Sequence, residues 1–265
     1  MEDQVVDLQL KDRTYLVTGG SSGVGLATVA MLLAEGANVV TCARDVDRLR
    51  AALTPLPGSD RALGLACDVR DPDAVAALVE AGRQRFGGLD GLVNNAGNSR
   101  MKPRAEATLD DWRDEFDLKF SSVLNSVDAA LPLLRKSDAA AIVNISAVLA
   151  RQPETRLVTT SAARAGLLNL SKSLSIELAG EGIRVNSVAL GLVDTGQWRR
   201  RYEASGHGGS FAEWEAEIAA DRGIGLGRFG HADEVAFVIT TLLSPRSSYV
   251  TGTSIDVCGG VARYV

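Results

Sequence analysis

The segment 18–25, Thr-Gly-Gly-Ser-Ser-Gly-Val-Gly, is dense in glycine and follows a short apolar run. Glycines there let a backbone approach a pyrophosphate closely. A helix opening at the same point adds N–H groups and the positive end of its dipole. A plain tight turn has the same composition, so the segment alone decides little. Further on, Thr41-Cys42-Ala43-Arg44-Asp45 sets Arg44 where a second strand would end. A guanidinium at that place accommodates a ribose 2′-phosphate, whereas an acidic residue would bind the free 2′-hydroxyl. The plainer alternative is a solvated Arg44 with Asp45 capping a helix. A second group is Lys119, Thr160, Ser161 and Arg164. Arginine stays protonated, so Lys119 is the titratable member. A neighbouring cation would depress its pKa toward the range useful for proton transfer. The competing readings are that Lys119 pairs with Glu115 or Asp117, and that Thr160 and Ser161 cap a helix. A third group is 197–202, Gln-Trp-Arg-Arg-Arg-Tyr, whose arginines suit a carboxylate, a phosphate or a coenzyme-A tail. A solvated helical face paired with nearby glutamates is the alternative.

These residues sit in an alternation of short β-rich runs and helical patterns. Strands are expected at 14–18, 38–42, 62–67, 89–94, 140–145, 184–189 and 254–257. Helices are expected near 24–35, 45–53, 73–86, 109–135, 160–179 and 231–243. Such alternation implies an α/β fold: a doubly wound, parallel, seven-stranded Rossmann-like sheet with helices on both faces. The 265 residues, 46% of them apolar, suit a single domain over 1–265. Within it, 1–140 is mainly the nucleotide-binding half. The stretch 190–228 breaks the rhythm and reads as an insert over a ligand crevice, where such sheets bind their substrates.

Composition narrows the partners. A net charge of −5 argues against a nucleic-acid or membrane surface. No apolar run is long enough to span a bilayer, and the acidic start at 1–3 lacks the apolar core of a signal peptide. Three cysteines, Cys42, Cys67 and Cys258, have no metal-ligand spacing and read as reduced thiols of a cytoplasmic protein, with no metal site expected. Neither histidine, His207 or His231, has a carboxylate placed beside it by sequence.

Taken together, the glycine turn, Asp68-Val69, Asn94-Asn95-Ala96-Gly97, the run 183–186, the run 191–195 and the C-terminal Gly259-Gly260 resemble the short-chain dehydrogenase/reductase family over roughly 10–262. The resemblance implies that Gly19, Ser21, Ser22, Val24, Arg44, Asp68, Val69, Asn95, Ala96, Gly97, Ile145, Arg164, Gly191, Val193 and Thr195 face a nicotinamide dinucleotide. Arg44 favours NADP(H) over NAD. The family also implies a homo-oligomer, a tetramer, and a small-molecule substrate; the arginines of 197–202 suggest an anionic one.

Four positions depart from the family's pattern. Its Asn, Ser, Tyr and Lys fall on Lys119, Ala147, Thr160 and Arg164. A cation about 4 Å away at an effective dielectric of ~20 contributes about 4 kcal/mol, or about three pKa units. That shift brings a phenol near neutrality but leaves an aliphatic hydroxyl far above it. Thr160 is therefore a poor general acid, and Lys119 is the expected replacement. The implied activity is NADP(H)-dependent interconversion of a small carbonyl and its alcohol through an atypical site. Two alternatives stay open. One is a non-redox lyase or isomerase in which Lys119 and Arg164 stabilise an oxyanion; the other is a cofactor-binding protein without catalysis.

Overall fold

The computed structural model describes residues 6–99 and 101–264; the acidic start at 1–3 lies outside them. Seven strands form one parallel sheet: β1 Thr14–Thr18, β2 Asn38–Ala43, β3 Ala62–Ala66, β4 Gly91–Asn94, β5 Ala141–Ala147, β6 Arg184–Leu190 and β7 Ser254–Val257. Their order is β3-β2-β1-β4-β5-β6-β7, so the winding reverses between β1 and β4. A parallel sheet covered on both faces needs strands that are apolar throughout rather than alternating. β1, Thr-Tyr-Leu-Val-Thr, is buried at all five positions. The edge strands β3 and β7 are only partly buried.

One face carries α1 Gly23–Ala34, α2 Val46–Leu53 and α9 Ala232–Leu243, with Leu32, Leu49 and Ile239 in a shared core. The other carries α3 Pro72–Phe86, α5 Ser122–Leu134 and α6 Val158–Glu177, with Leu78, Val127 and Leu167 in a second core. The single helix expected over 109–135 is instead three pieces. α4 Leu109–Phe116 runs into a π-helical turn at Asp117–Ser121, and α5 follows. A π turn absorbs an extra residue by i→i+5 bonding and often marks a functional position.

The segment expected as an insert at 190–228 contains two helices, α7 Gly196–Ser205 and α8 Phe211–Arg222. Gly206 ends α7 in the left-handed region, and Ser210 caps α8. The glycines of 206–209 mask both helices in the sequence. Their aromatic residues pack as a third core: Trp198 lies 4.9 Å from Phe229, and Tyr202 meets Phe211 edge-on at 5.5 Å.

Arg184, at the start of β6, is buried and closes the end of α9. Its guanidinium donates to the carbonyls of Leu242 at 2.7 Å, Ser244 at 3.1 Å and Leu243 at 3.3 Å. Charged hydrogen bonds contribute about 1.5–3 kcal/mol each, and orphaned carbonyls add a penalty. Arg184→Met is expected to lower the unfolding free energy by about 3 kcal/mol in urea titration. A loss below about 0.5 kcal/mol would show that the carbonyls find other donors.

Candidate active site

The carboxyl ends of the strands open into a cleft of about 720 Å³. Its floor is the turn between β1 and α1. Gly19 has φ +75° and Gly23 φ +56°, a region open to glycine at little cost. A Cβ on Gly25 would collide with the Gly19 carbonyl and the Asn95 side chain. The N-terminus of α1 has no side-chain cap and no acidic residue in its first turn. By contrast α2, α3, α4 and α8 are capped by Asp45, Asp71, Thr108 and Ser210. The open N–H groups of α1, with Ser21, Ser22 and Val24 beside them in the cleft, suit an anion such as a pyrophosphate.

The β2–β3 end of the cleft is basic. Arg44, Arg48 and Arg70 line it. Arg70 holds Asp68 at 2.6 Å and keeps its carboxyl below the usual range. Asp45 accepts from the Arg48 N–H, so it is a helix cap as well as Arg44's neighbour. Arg48 and Arg70 are cations that sequence reasoning missed. Arg48 stands one helical turn beyond Arg44, a spacing visible in the sequence; Arg70 follows Asp68 at a distance of two residues.

In the middle of the cleft, Thr18 and Asn95 lock the glycine turn to β4. Asn95 Nδ2 donates to the Thr18 carbonyl at 2.9 Å, and the Asn95 and Ala96 N–H groups both donate to Thr18 Oγ1 at 3.0 Å. Gly97, Ile145, Val69, Gly191, Val193 and Thr195 also line the wall. Gly191 has no room for a side chain, since a Cβ would lie 2.8 Å from Cys258 Cα. Every residue expected to face a dinucleotide thus lines one cleft. Cys42 and Cys67 lie at its β2–β3 end and are unbonded to one another by any disulfide.

Three of the altered positions, Lys119, Thr160 and Arg164, gather around a residue that the sequence marks only as a salt-bridge partner. Glu115, on α4, lines the cleft. Its Oε2 accepts from Lys119 Nζ and, at 2.9 Å, from Thr160 Oγ1. Glu115 and Lys119 are four residues apart with the acid first, the favourable order on a helix. Their side chains are 1% and 0% exposed. Of the two, Glu115 is among the residues lining the cleft and Lys119 is not, so Lys119 lies behind the carboxylate it donates to. Thr160 lies inside α6, whose N-cap position is Leu157, so the capping alternative for Thr160 and Ser161 does not hold.

Arg164, one turn further along α6, donates to the Ile145 carbonyl and lines the cleft. Burial pushes its guanidinium down to about 10, partly offset by Glu115, so it stays charged at neutral pH. Its Nε is buried without a partner among the described residues. Ala147 contributes a methyl group to the wall, and the adjacent Ser146 Oγ has no partner among the described residues. Asn144 is spent on structure, bonding the side chains of Asn94 and Ser171. A nicotinamide dinucleotide fits these residues: an uncapped helix terminus for the pyrophosphate, cations at β2 and an orphan donor on Arg164.

Over the cleft, Arg199 pairs with Asp194, while Arg222 pairs with Glu154 at 2.5 Å. Glu154 and Arg222 are far apart in sequence and carry no signal there. His207 meets Glu217 at 3.2 Å near the α7–α8 loop, and His231 N-caps α9, both outside the cleft lining. Among the described residues no group of three metal-ligating side chains comes together, and no helix is long and apolar enough to cross a membrane.

A family model described as enoyl-(acyl carrier protein) reductase matches residues 19–262. The chain belongs to the short-chain dehydrogenase/reductase family. A 3-oxoacyl-(acyl carrier protein) reductase of Thermotoga maritima is 34% identical to this family member over 96% of the chain and 99% of that protein. Among solved structures, a short-chain oxidoreductase from Pseudomonas aeruginosa PAO1 is 48% identical and superimposes with a TM-score of 0.93, covering 97% of this chain and 99% of that one. That protein is described as containing an atypical catalytic center, and it has also been solved with NADPH bound. The L-sorbose reductase of Gluconobacter frateurii, solved with NADPH and L-sorbose, is 31% identical with a TM-score of 0.93, over 98% of this chain and all of that one. The chain is an oxidoreductase of this family's Rossmann-like type.

Proposed function

We propose that this chain interconverts a small carbonyl compound and its alcohol with NADP(H), preferring it to NAD(H), through Glu115, Lys119, Thr160 and Arg164. The observation that carries the reading is Glu115: a carboxyl group on the cofactor cleft whose Oε2 is shared by Lys119 and Thr160. The family's phenol is missing, and a carboxyl backed by an ammonium occupies the place where a proton is needed.

A bound cofactor would supply the hydride. Arg164, which lines the cleft and stays charged, would help to hold it and would stabilise negative charge developing on the reacting oxygen. For reduction, the Lys119 ammonium passes a proton to the Glu115 carboxylate, which hands it on to the substrate oxygen, leaving Lys119 neutral until it takes up a proton again. The reverse transfer serves oxidation. Thr160 fixes the Glu115 carboxyl by donating to the same oxygen. Ala147 provides no hydroxyl, so the substrate oxygen is positioned by Glu115 and Arg164 alone. The basic end formed by Arg44, Arg48 and Arg70 supports the preference for a 2′-phosphate. Segment 190–228 serves as the substrate cover. The proposal includes self-association as a tetramer, supported by the exposed apolar side chains Leu109 and Phe116 on α4 and Ile176 on α6.

The test is isotope transfer: [4,4-²H₂]NADPH is incubated with a carbonyl compound, and the alcohol is analysed by mass spectrometry. One deuterium on the carbinol carbon is expected.

A further inference from the structure

The three consecutive arginines of α7 have different fates, and the difference identifies what the substrate must carry. Arg199 is satisfied: it pairs with Asp194 and lies over the Phe211 ring at 3.6 Å. Arg200 is exposed at the rim. Arg201 is partly buried, lines the cleft and lies over Trp198, 4.5 Å from the ring centre. It makes no hydrogen bond or ion pair among the described residues. Burial and the neighbouring Arg222 both work against its charge, with Glu154 only partly compensating. Glu154 is already engaged by Arg222 at 2.5 Å. Two guanidinium groups thus lie near one carboxylate that only Arg222 engages, and the fork of Arg201 is unfilled.

A partly desolvated cation without an anion carries a cost, and a ligand that supplies the anion recovers it. The planar fork matches two oxygens of a carboxylate or a phosphate. The cofactor is not the source. Its pyrophosphate belongs at α1 and its ribose phosphate at Arg44, after β2. Arg201 follows β6, four strand spacings or about 19 Å across the sheet.

We infer that the substrate is an anionic carbonyl compound whose carboxylate or phosphate is held by Arg201, with Arg222 beside it and Trp198 beneath. This rests on the oxidoreductase reading above and names its substrate class. Arg201 is then a binding residue that sets specificity by charge, not a proton donor.

The NADPH-loaded protein is titrated calorimetrically with two matched pairs: 4-oxopentanoate against its methyl ester, and dihydroxyacetone phosphate against dihydroxyacetone. The first pair tests a carboxylate and the second a phosphate. At least one anion is expected to bind about 10- to 100-fold tighter than its neutral partner, the span of a charged hydrogen-bonded pair. Arg201→Gln should bring that ratio to within about twofold, Arg201→Lys should keep part of it, and Arg199→Gln should leave it intact. NADPH affinity should be unchanged in all three. Absence of an anion preference in both pairs, or its survival in Arg201→Gln, overturns the inference. If Arg201→Gln does not fold, Arg201→Lys decides: an undiminished ratio there overturns the fork. Should the anion preference hold without isotope transfer, the redox reading fails and the anion site stands. Transfer to neutral ketones without any anion preference overturns the anion site and leaves the redox reading standing.

Discussion

Glu115→Gln is expected to lower carbonyl reduction by about 10²–10⁴-fold, the span of a lost general acid, with NADPH affinity nearly unchanged. Glutamine keeps the shape and the hydrogen bond from Thr160 but cannot give up a proton. A structural role must be separated from this, because Glu115 and Lys119 are a buried ion pair. Removing one partner of such a pair costs about 3–5 kcal/mol, since the other charge is left buried. The double variant Glu115→Gln/Lys119→Met removes both charges at similar volume and should fold better than the single one. If Glu115 transfers the proton, the double variant regains stability and stays inactive. If the pair is only a structural clamp, activity returns with stability. Thermal melts, NADPH titration and single-turnover rates on the three proteins distinguish the two outcomes. Glu115→Asp should retain part of the rate, because it keeps the acid and shortens its reach.

The second large effect concerns the cofactor. Arg44, Arg48 and Arg70 line the cleft beside the end of β2. Asp68 is occupied by Arg70, whose guanidinium bonds both of its oxygens. Charge-assisted hydrogen bonds contribute about 1.5–3 kcal/mol, so the 2′-phosphate should favour NADPH over NADH by about 10²-fold in dissociation constant. Arg44→Asp removes one cation and offers a carboxylate to the ribose 2′-hydroxyl, so NADH should then bind more tightly than NADPH. Calorimetric titration of both cofactors against both proteins measures this. Equal affinities in the unmodified protein would contradict the assignment of Arg44.

How far the sequence leads depends on whether a feature is local. β1, buried at all five positions, and the glycine turn after it are readable because burial on both faces and backbone approach each leave a compositional mark. The π turn at Asp117–Ser121 leaves no such mark, so the sequence implies one long helix where two α-helices flank a π turn. Helices α7 and α8 are obscured by the glycines between them, although Trp198 and Tyr202 already stand at helical spacing. At the site, register alone brings Lys119, Ala147, Thr160 and Arg164 into view. Glu115 is in plain sight at i, i+4 from Lys119, yet only the fold shows that it, and not Lys119, faces the cleft. The pairing of Glu154 with Arg222, and the unfilled fork of Arg201, depend on chain segments that are remote in sequence.

The most direct test of the account follows one atom. [4,4-²H₂]NADPH is incubated with the unmodified protein and an anionic carbonyl compound that binds it, and with the Glu115→Gln/Lys119→Met variant under the same conditions. The account predicts one deuterium on the carbinol carbon of the product from the unmodified protein, and a yield lower by at least about 10²-fold from the variant. Tight NADPH binding and anion binding with no deuterium in any product would contradict it.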